Sequence, residues 1–198
     1  MKRFAIILSL LFALLVPALA SAAVSTWAID ADHSSVQFKV KHLMVSNVKG
    51  NFNKFSGAVT IDDSDVTKSK VDVTIDAASI DTANAKRDEH LRSPDFLDVA
   101  KYPTLKFVST KVANAGEGRL KVTGNLTIHG VTKEVVLDVE GPSPAVKDPW
   151  GNTKSGASAT TKINRKDFGL TWNKALETGG MVVGEEVLIT LEVELLKK

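Results

Sequence analysis

The chain has 198 residues, no cysteine, 43% hydrophobic residues and a formal net charge of +2. The lack of cysteine excludes a disulfide framework, a cysteine nucleophile and a lipoprotein anchor. Lys2 and Arg3 account for the whole net charge, and the other 23 Lys and Arg residues balance 23 Asp and Glu residues, so overall charge does not favour nucleic acid or an anionic membrane surface as a partner.

The first 22 residues have the pattern of a cleaved secretory signal peptide. Lys2 and Arg3 precede an apolar run over residues 4–16, which is too short to span a bilayer. Small residues then form two cleavage patterns, Ala18-Leu19-Ala20 and Ala20-Ser21-Ala22. We therefore expect residues 1–22 to be removed on export to the periplasm and residues 23–198 to form a single domain.

The exported part begins as a series of short strands. Residues 25–29 are expected to form the first strand and residues 30–34 a turn. Val36, Phe38 and Val40 then alternate with polar residues, which is typical of an antiparallel strand with one buried face.

The next two strands follow the same pattern, with a bend expected over residues 42–47. Gly50 and Gly57 are predicted to be bulges or tight bends, because glycine in a strand interior often marks such a site. The apolar positions of these strands are Phe52, Phe55, Val59, Ile61, Val71, Val73 and Ile75.

A helical segment interrupts the strands over residues 84–93. It contains no β-branched residue and is rich in Ala, Lys, Arg, Glu and Leu, which are good helix formers, and Pro94 ends it. Asp88 and Arg92 lie one helical turn apart and are predicted to pair. The N-cap candidates are Asp81, Thr82 and Asn84. The few apolar residues are Leu91, Phe96, Leu97 and Val99, so we expect a polar helix whose apolar edge covers one end of a β-structure.

The rest of the chain again reads as strands and turns. A hairpin is expected around His129 and Gly130, a Pro/Gly-rich loop over residues 141–152, and a last strand with alternation from Val187 to Leu195. The sum is about eight strands, one short helix and no internal repeat. This pattern predicts an antiparallel β-barrel or sandwich, and composition does not distinguish the two.

Motifs for catalysis or metal binding are absent from the sequence. There is no nucleophile elbow, zinc-protease motif, P-loop or dinucleotide fingerprint. His33 and His129 are interpreted as turn residues, whereas His42 and His90 flank the expected bend and helix and could bind a ligand head group. We therefore predict no enzyme activity, no catalytic cofactor and no metal site. An enzyme would have to depend on His42, His90 or Arg92.

A set of short motifs is distributed over nearly the whole exported chain. The motifs are Asp32-His33-Ser34 with Val36, Phe38, Val40 and His42; Gly50-Asn51-Phe52 with Phe55-Ser56-Gly57; Ala78 to Thr82; Lys86 to Ser93; Asp95-Phe96; Lys101-Tyr102-Pro103; Gly124 to Thr132; Asn164-Arg165; Asp167-Phe168-Gly169; and Val183-Gly184 with Val187. In these motifs the sequence resembles the YceI-like family of periplasmic polyisoprenoid-binding proteins.

The resemblance implies an all-β fold, an eight-stranded antiparallel, lipocalin-like extended barrel with a short helical insert. It implies a carrier or store that holds a long isoprenoid lipid, quinone-like or polyprenyl, without nucleic acid partners or stable membrane insertion; homodimerisation stays open. A carrier of fatty acids or fatty amides is the alternative, and a lipid-modifying enzyme a more distant one. The implied ligand-binding residues are Val36, Phe38, Val40, His42, Phe52, Phe55, Val59, Val71, Val73, Ile75, Leu91, Arg92, Phe96, Phe107 and Arg165. Of these, His42, Arg92 and Arg165 are expected near the mouth, unless they form ion pairs such as Arg165 with Asp167.

Overall fold

The computed structural model describes residues 24–177 and 179–198, and the predicted signal peptide at residues 1–22 lies outside these residues. The described part is all-β with one α-helix, α1 (Ala85–Arg92), and four 3-10 helices, at Ala31–His33, Val66–Lys68, Ala77–Ser79 and Arg165–Phe168. Its strands are β1 (Val24–Ile29), β2 (Ser35–His42), β3 (Ser46–Phe52), β4 (Phe55–Asp62), β5 (Lys70–Asp76), β6 (Ile80–Asp81), β7 (Thr104–Asn114), β8 (Arg119–Ile128), β9 (Val131–Glu140), β10 (Val146–Lys147), β11 (Thr153–Asn164) and β12 (Val183–Lys197).

The long strands close into an eight-stranded antiparallel barrel, which confirms the predicted fold class. One edge of β12 pairs with β11 from Glu186 to Leu196. Its other edge pairs first with β2 and then with β1, so β1 and β2 occupy one strand position in the ring. In the same way β3 and β4 form one position, with a bend at residues 53–54, because β3 pairs with β2 and β4 with β1.

The remaining positions follow chain order around the ring. They are β5, β7, β8, β9, β11 and β12, each paired with the next, and the β11–β12 pairing completes the closure. The two-residue strands β6 and β10 add to the edges of β3 and β11. Closure satisfies the backbone groups that an open sheet would leave at its edges.

Helix α1 is attached to the barrel by hydrogen bonds, and the ion pair predicted within the helix does not form. Asn84 is the N-cap, and its side chain accepts a bond from the Arg87 N–H. The buried Asp88 carboxylate accepts bonds from the backbone N–H and the hydroxyl of Thr82, at 2.9 and 2.5 Å. The predicted pair of Asp88 with Arg92 is therefore wrong.

Arg92 instead extends away from the helix towards the chain before it. Its Nε and Nη2 donate to the carbonyls of Ala78 and Ile80, at 2.7 and 2.6 Å. Because backbone carbonyls of this segment already accept these bonds, Arg92 joins the helix to the barrel wall and does not point into the interior.

Two hairpin turns at the α1 end of the barrel have left-handed backbone. The β8–β9 turn contains His129 (φ 51°) and Gly130 (φ 73°) at the predicted position. The β2–β3 turn has Leu43 (φ 51°) and Met44 (φ 62°) at the central positions, closed by a bond from Val45 N–H to the His42 carbonyl. Left-handed backbone costs an ordinary L-residue about 1–2 kcal/mol, so Asn-Gly is the usual sequence of such turns.

Candidate functional site

An apolar tunnel runs through the barrel. Successive side chains of a strand point to opposite faces, so every second residue of each barrel strand faces inward. These inward residues surround a cavity of about 310 Å³, which is within the usual size range of small-molecule sites. Its lining extends from Val66, Leu120 and Pro142 at one end to Leu91, Phe96 and Leu170 at the other.

Most of the residues expected at the site line this tunnel. Those in the lining are Val36, Phe38, Val40, Phe52, Phe55, Val59, Val71, Val73, Ile75, Leu91, Phe96, Phe107 and Arg165. His42 and Arg92 are not in the lining. His42 is the last residue of β2, two residues beyond Val40. The guanidinium of Arg92 donates hydrogen bonds to backbone carbonyls. His42 pairs with the lining residue Val183 and so lies beside one end of the tunnel without lining it, whereas Arg92 is bound to the barrel wall. Ligand contact by all the expected residues stays a prediction.

Two glycines of the barrel wall leave room for aromatic rings of neighbouring strands. Gly50 lies directly opposite Phe38, and a Cβ atom on Gly50 would come within 2.5 Å of the Phe38 ring. A Cβ atom on Gly124 would likewise meet the ring of Phe107. Each ring thus occupies the space that a Cβ atom on the neighbouring strand would take, while both Phe residues belong to the tunnel lining.

The predicted bulges at Gly50 and Gly57 are therefore wrong. Both glycines pair in regular register, Gly50 with Phe38 and Gly57 with Val73. Register shifts occur between Val183 and Val187 and between Ser109 and Lys111. A Cβ atom on Gly50 would collide with the Phe38 ring, and one on Gly57 would come within 2.6 Å of the Asp72 carbonyl oxygen.

Strand β11 contributes the smallest side chains of the wall. Ala157 and Ala159 line the tunnel where the neighbouring strands contribute Val139, Leu191 and Val193. Their place at the site could not be predicted, because a strand of Ala, Ser and Thr shows no strong apolar alternation. Small residues on one side of the ring give the lumen much of its width.

The turn after α1 covers one end of the tunnel. Phe96 and Leu97 are buried and line the tunnel together with Leu91. The ring of Trp172 packs against Phe96, with centroids 5.1 Å apart, and against His90, with centroids 4.9 Å apart. Trp172 belongs to an irregular segment whose path depends on the finished barrel, so its role had no local signal in the sequence.

His90 has a structural position in this cover. Its Nε2 lies 2.8 Å from a carboxylate oxygen of Asp95, and its ring stands edge-on to Phe96. It is not part of the tunnel lining. The histidine therefore stabilises the turn that carries Phe96.

Arg165 is the charged residue of the tunnel lining within the described chain. Its side chain is almost fully buried, and Nε donates to the Gly184 carbonyl at 2.8 Å while Nη1 donates to the Leu170 carbonyl. Burial lowers the pKa of its guanidinium below the usual value, and the charge of Glu185 partly opposes this effect. The expected pair with Asp167 does not form; Arg165 joins the segment after β11 to the start of β12.

A cluster of ionisable groups lies outside the tunnel at the break between β1 and β2. Ligand-type atoms of Asp30, His33 and Glu194 lie close enough together to hold a metal ion. Lys154 Nζ, however, is 3.1 Å from Asp30 and 2.5 Å from Glu194. Because the ammonium group already supplies a positive charge to both carboxylates, we interpret the group as an ion-pair cluster that fixes the strand break.

The electrostatics of this cluster agree with its geometry. Hydrogen bonds from Lys154 and His33 lower the pKa of Asp30. Hydrogen bonds to Glu194 and Asp30 raise the pKa of Lys154. Asp30 and Lys154 are thus each stabilised in the charged form. Separately, none of the helices in residues 24–177 and 179–198 has the length and apolar character needed to cross a bilayer.

Comparison with known proteins identifies relatives over most of the chain. The family model described as the YceI-like domain matches residues 27–195. A UPF0312 protein of Vibrio cholerae is 42% identical over 170 residues, which is 86% of this chain and 89% of the relative. The crystal structure of the Campylobacter jejuni YceI protein is 38% identical, with a TM-score of 0.68, over 80% of this chain and 90% of that chain.

A more distant solved structure has the same fold. It is a polyisoprenoid binding domain from Saccharophagus degradans, 16% identical, with a TM-score of 0.62 over 87% of this chain and 98% of that chain. At this level of identity the likeness concerns the fold.

Proposed function

The chain belongs to the YceI-like family, and from this premise we propose that it is a periplasmic carrier or store that holds one long isoprenoid lipid, quinone-like or polyprenyl, in the barrel tunnel. The observation that carries the proposal is the tunnel itself, whose lining is almost entirely apolar. A distant structural neighbour is described as a polyisoprenoid binding domain, which supports this class of ligand.

The shape of the tunnel suits a chain rather than a compact ligand. Lining residues on β12 extend from Val183 to Leu195, which corresponds to about 40 Å along a strand at ~3.3 Å per residue. A typical barrel tilt of 35–45° reduces this to about 30 Å along the axis. An extended isoprene unit of four C–C bonds spans about 5 Å, so about six units would fit.

The chemistry of the lining supports binding rather than catalysis. Beyond Arg165, the polar residues of the lining in the described chain are Gln37, Ser69, Ser158 and Thr161. Arg165 donates to backbone carbonyls, and among the described residues of the lining no hydroxyl is paired with a basic side chain. Burial of hydrocarbon at roughly 0.8 kcal/mol per CH₂ gives about 4 kcal/mol gross per isoprene unit, so apolar contact alone is sufficient for tight retention.

The periplasmic location rests on the signal-peptide pattern of residues 1–22. An apolar chain crossing an aqueous compartment must be shielded from water, and a closed barrel meets that need. N-terminal sequencing of protein recovered from a periplasmic fraction tests this part, and an uncleaved N-terminus would contradict it.

The ligand is tested by extracting purified protein with organic solvent and analysing the extract by mass spectrometry. We expect one lipid molecule per protein, and we expect the masses of the extracted lipids to differ by whole isoprene units. A straight acyl chain or fatty amide would select that alternative class. An extract without lipid, from protein that also fails to bind added polyprenols, would contradict the proposal.

A further inference from the structure

An exposed apolar tip projects from the α1 end of the barrel. It consists of Leu43, Met44 and Val45 in the β2–β3 turn and Met181 in the neighbouring loop, which are 37%, 55%, 79% and 41% exposed. The two loops are joined by a hydrogen bond of 2.8 Å from the Leu43 N–H to the Val182 carbonyl. Single exposed apolar residues are ordinary, but four in adjoining turns form a surface that marks an interaction site.

Folding does not account for the sequence of this turn. Leu43 and Met44 both have left-handed backbone, which Asn and Gly adopt more easily. Met44 and Val45 gain little burial in return. The turn therefore presents large apolar side chains to solvent in a conformation that disfavours them, which indicates that their surroundings in use are not water.

Basic side chains surround the apolar tip. Lys39, Lys41 and Lys49 lie on the outer face of the same hairpin, with Lys39 directly opposite Lys49. Lys174 begins the neighbouring loop, in which Glu177 is the acidic residue. Within the described residues none of these four lysines has a carboxylate within ion-pair distance. We call Lys39, Lys41, Lys49 and Lys174 the basic collar.

Nearby acidic residues do not neutralise the basic collar. Glu185 and Glu186 lie beside the hairpin on β12, but they pair with Lys166 and Lys162. The turns at the opposite end of the barrel carry Asp62, Asp63, Asp65, Glu117 and Asp148, but Lys68, Arg119 and Lys147 lie beside them. The unpaired lysines of the basic collar therefore give the tip a local positive charge, which an anionic surface would attract.

The tip adjoins the tunnel. Val40 and Val183 belong to the tunnel lining. His42 pairs with Val183 and immediately precedes the turn. The tip therefore lies only about one residue pair away from this end of the tunnel.

We propose that the tip end of the barrel binds reversibly to the surface of an anionic phospholipid bilayer. The tip inserts into the boundary between head groups and acyl chains, and the basic collar contacts lipid phosphates. Bilayer contact also places the nearby tunnel end against the apolar layer for lipid exchange, a step that rests on the proposed function.

The test is co-sedimentation with vesicles of phosphatidylcholine alone or mixed with phosphatidylglycerol. We expect binding to the mixed vesicles, weaker binding to phosphatidylcholine, and a loss of binding when salt is raised to about 0.5 M. The double variant Leu43→Asn with Met44→Gly should bind about tenfold more weakly or less. Its melting temperature should equal or exceed that of the wild type, because the new residues suit the turn, so misfolding cannot explain the loss.

Trp150→Asn is the matched control, because it leaves the charge unchanged as the tip variant does. Trp150 is 82% exposed on the Pro/Gly-rich loop at the opposite end, so the variant removes a large exposed apolar surface and should bind vesicles normally. Loss of binding in Trp150→Asn with retention in the tip variant would overturn the proposal. So would equal binding to both kinds of vesicle, or no binding accompanied by dimer loss in the tip variant, which would make the tip an interface between copies.

The lipid content of the same samples separates this proposal from the proposed function. Protein that contains lipid but ignores vesicles would contradict bilayer binding and leave the carrier role intact. Protein that binds vesicles but never contains lipid would support bilayer binding and contradict the carrier role.

Discussion

A tryptophan placed in the tunnel should block the lipid without unfolding the protein. Ala159 has one of the smallest side chains in the tunnel lining. Thr160, its neighbour on β11, is exposed on the outer face. Ala159→Trp and Thr160→Trp are therefore adjacent changes of similar size that differ in the face of the strand. The first is expected to abolish lipid retention and the second to leave it unchanged.

The magnitude follows from the space that the indole takes. A Trp side chain adds about nine heavy atoms to Ala, which matches nearly two isoprene units in a lumen one chain wide. Displacing two units forfeits about 8 kcal/mol of gross burial energy at ~0.8 kcal/mol per CH₂. If half of this is realised, affinity falls by about a thousandfold, because each 1.4 kcal/mol is a factor of ten.

Stability distinguishes a tunnel from a packed core. Filling an existing cavity should change the unfolding free energy by less than about 1 kcal/mol, or about 2–4 °C in melting temperature. Overpacking a solid core costs about 1–3 kcal/mol or more. Both variants should be compared after delipidation, because bound lipid itself raises the melting temperature.

Lipid per protein, measured after identical purification, is the assay. A melting temperature of delipidated Ala159→Trp more than about 10 °C below that of Thr160→Trp would show a packed interior. Normal lipid content in Ala159→Trp together with lipid loss in Thr160→Trp would show that the ligand lies outside the barrel, and would refute the tunnel.

Three further predictions follow from contacts elsewhere. Phe96→Ala should speed lipid release about tenfold or more while costing less than the ~3–5 kcal/mol typical of a packed Phe, because one side of the ring faces the lumen; an unchanged release rate would make Phe96 merely structural. Asp88→Ala should lower stability by about 1–3 kcal/mol in denaturant titration, since the buried N–H of Thr82 loses its acceptor, and a neutral effect would contradict this role. Lys154→Met should remove a stabilisation present from about pH 5 to pH 9. That stabilisation is lost in acid, because Asp30, whose pKa is lowered, takes up a proton there. It is lost in alkali because Lys154, whose pKa is raised, releases its proton. A stability difference between wild type and Lys154→Met that grows towards either pH extreme would contradict this role.

The barrel was predictable because its signal is repeated in every strand. Alternation at Val36, Phe38 and Val40 fixes which face is buried, and only closure or a second sheet can bury such a face in every strand. The helix was also predictable, since Asn84 caps it and Pro94 follows it. These are local rules that depend on a few neighbouring residues.

The features that could not be predicted depend on contacts between distant segments. Arg92 was placed with Asp88 by helical spacing, but the carbonyls of Ala78 and Ile80 are better partners once the chain folds back. Gly50 has an ordinary strand conformation, and glycine is required there because the ring of Phe38 on the next strand occupies the space of a Cβ atom. The cover formed by Trp172 likewise requires the finished barrel.

Charge shows the same difference between local and global information. The balance of 23 basic and 23 acidic residues beyond Lys2 and Arg3 gave no reason to expect a membrane surface as partner. The fold places Lys39, Lys41 and Lys49 on one hairpin, with Lys39 directly opposite Lys49. A zero sum over the chain thus conceals a local cluster of positive charge.

The most direct test of the account is the affinity of delipidated protein for polyprenols of increasing length. The tunnel predicts that affinity rises with each added isoprene unit up to about six units, the number that ~30 Å can hold, and then stays constant as further units remain in water. Affinity that is independent of length from the shortest chain, or that keeps rising well beyond eight units, would contradict a ligand enclosed along the barrel axis.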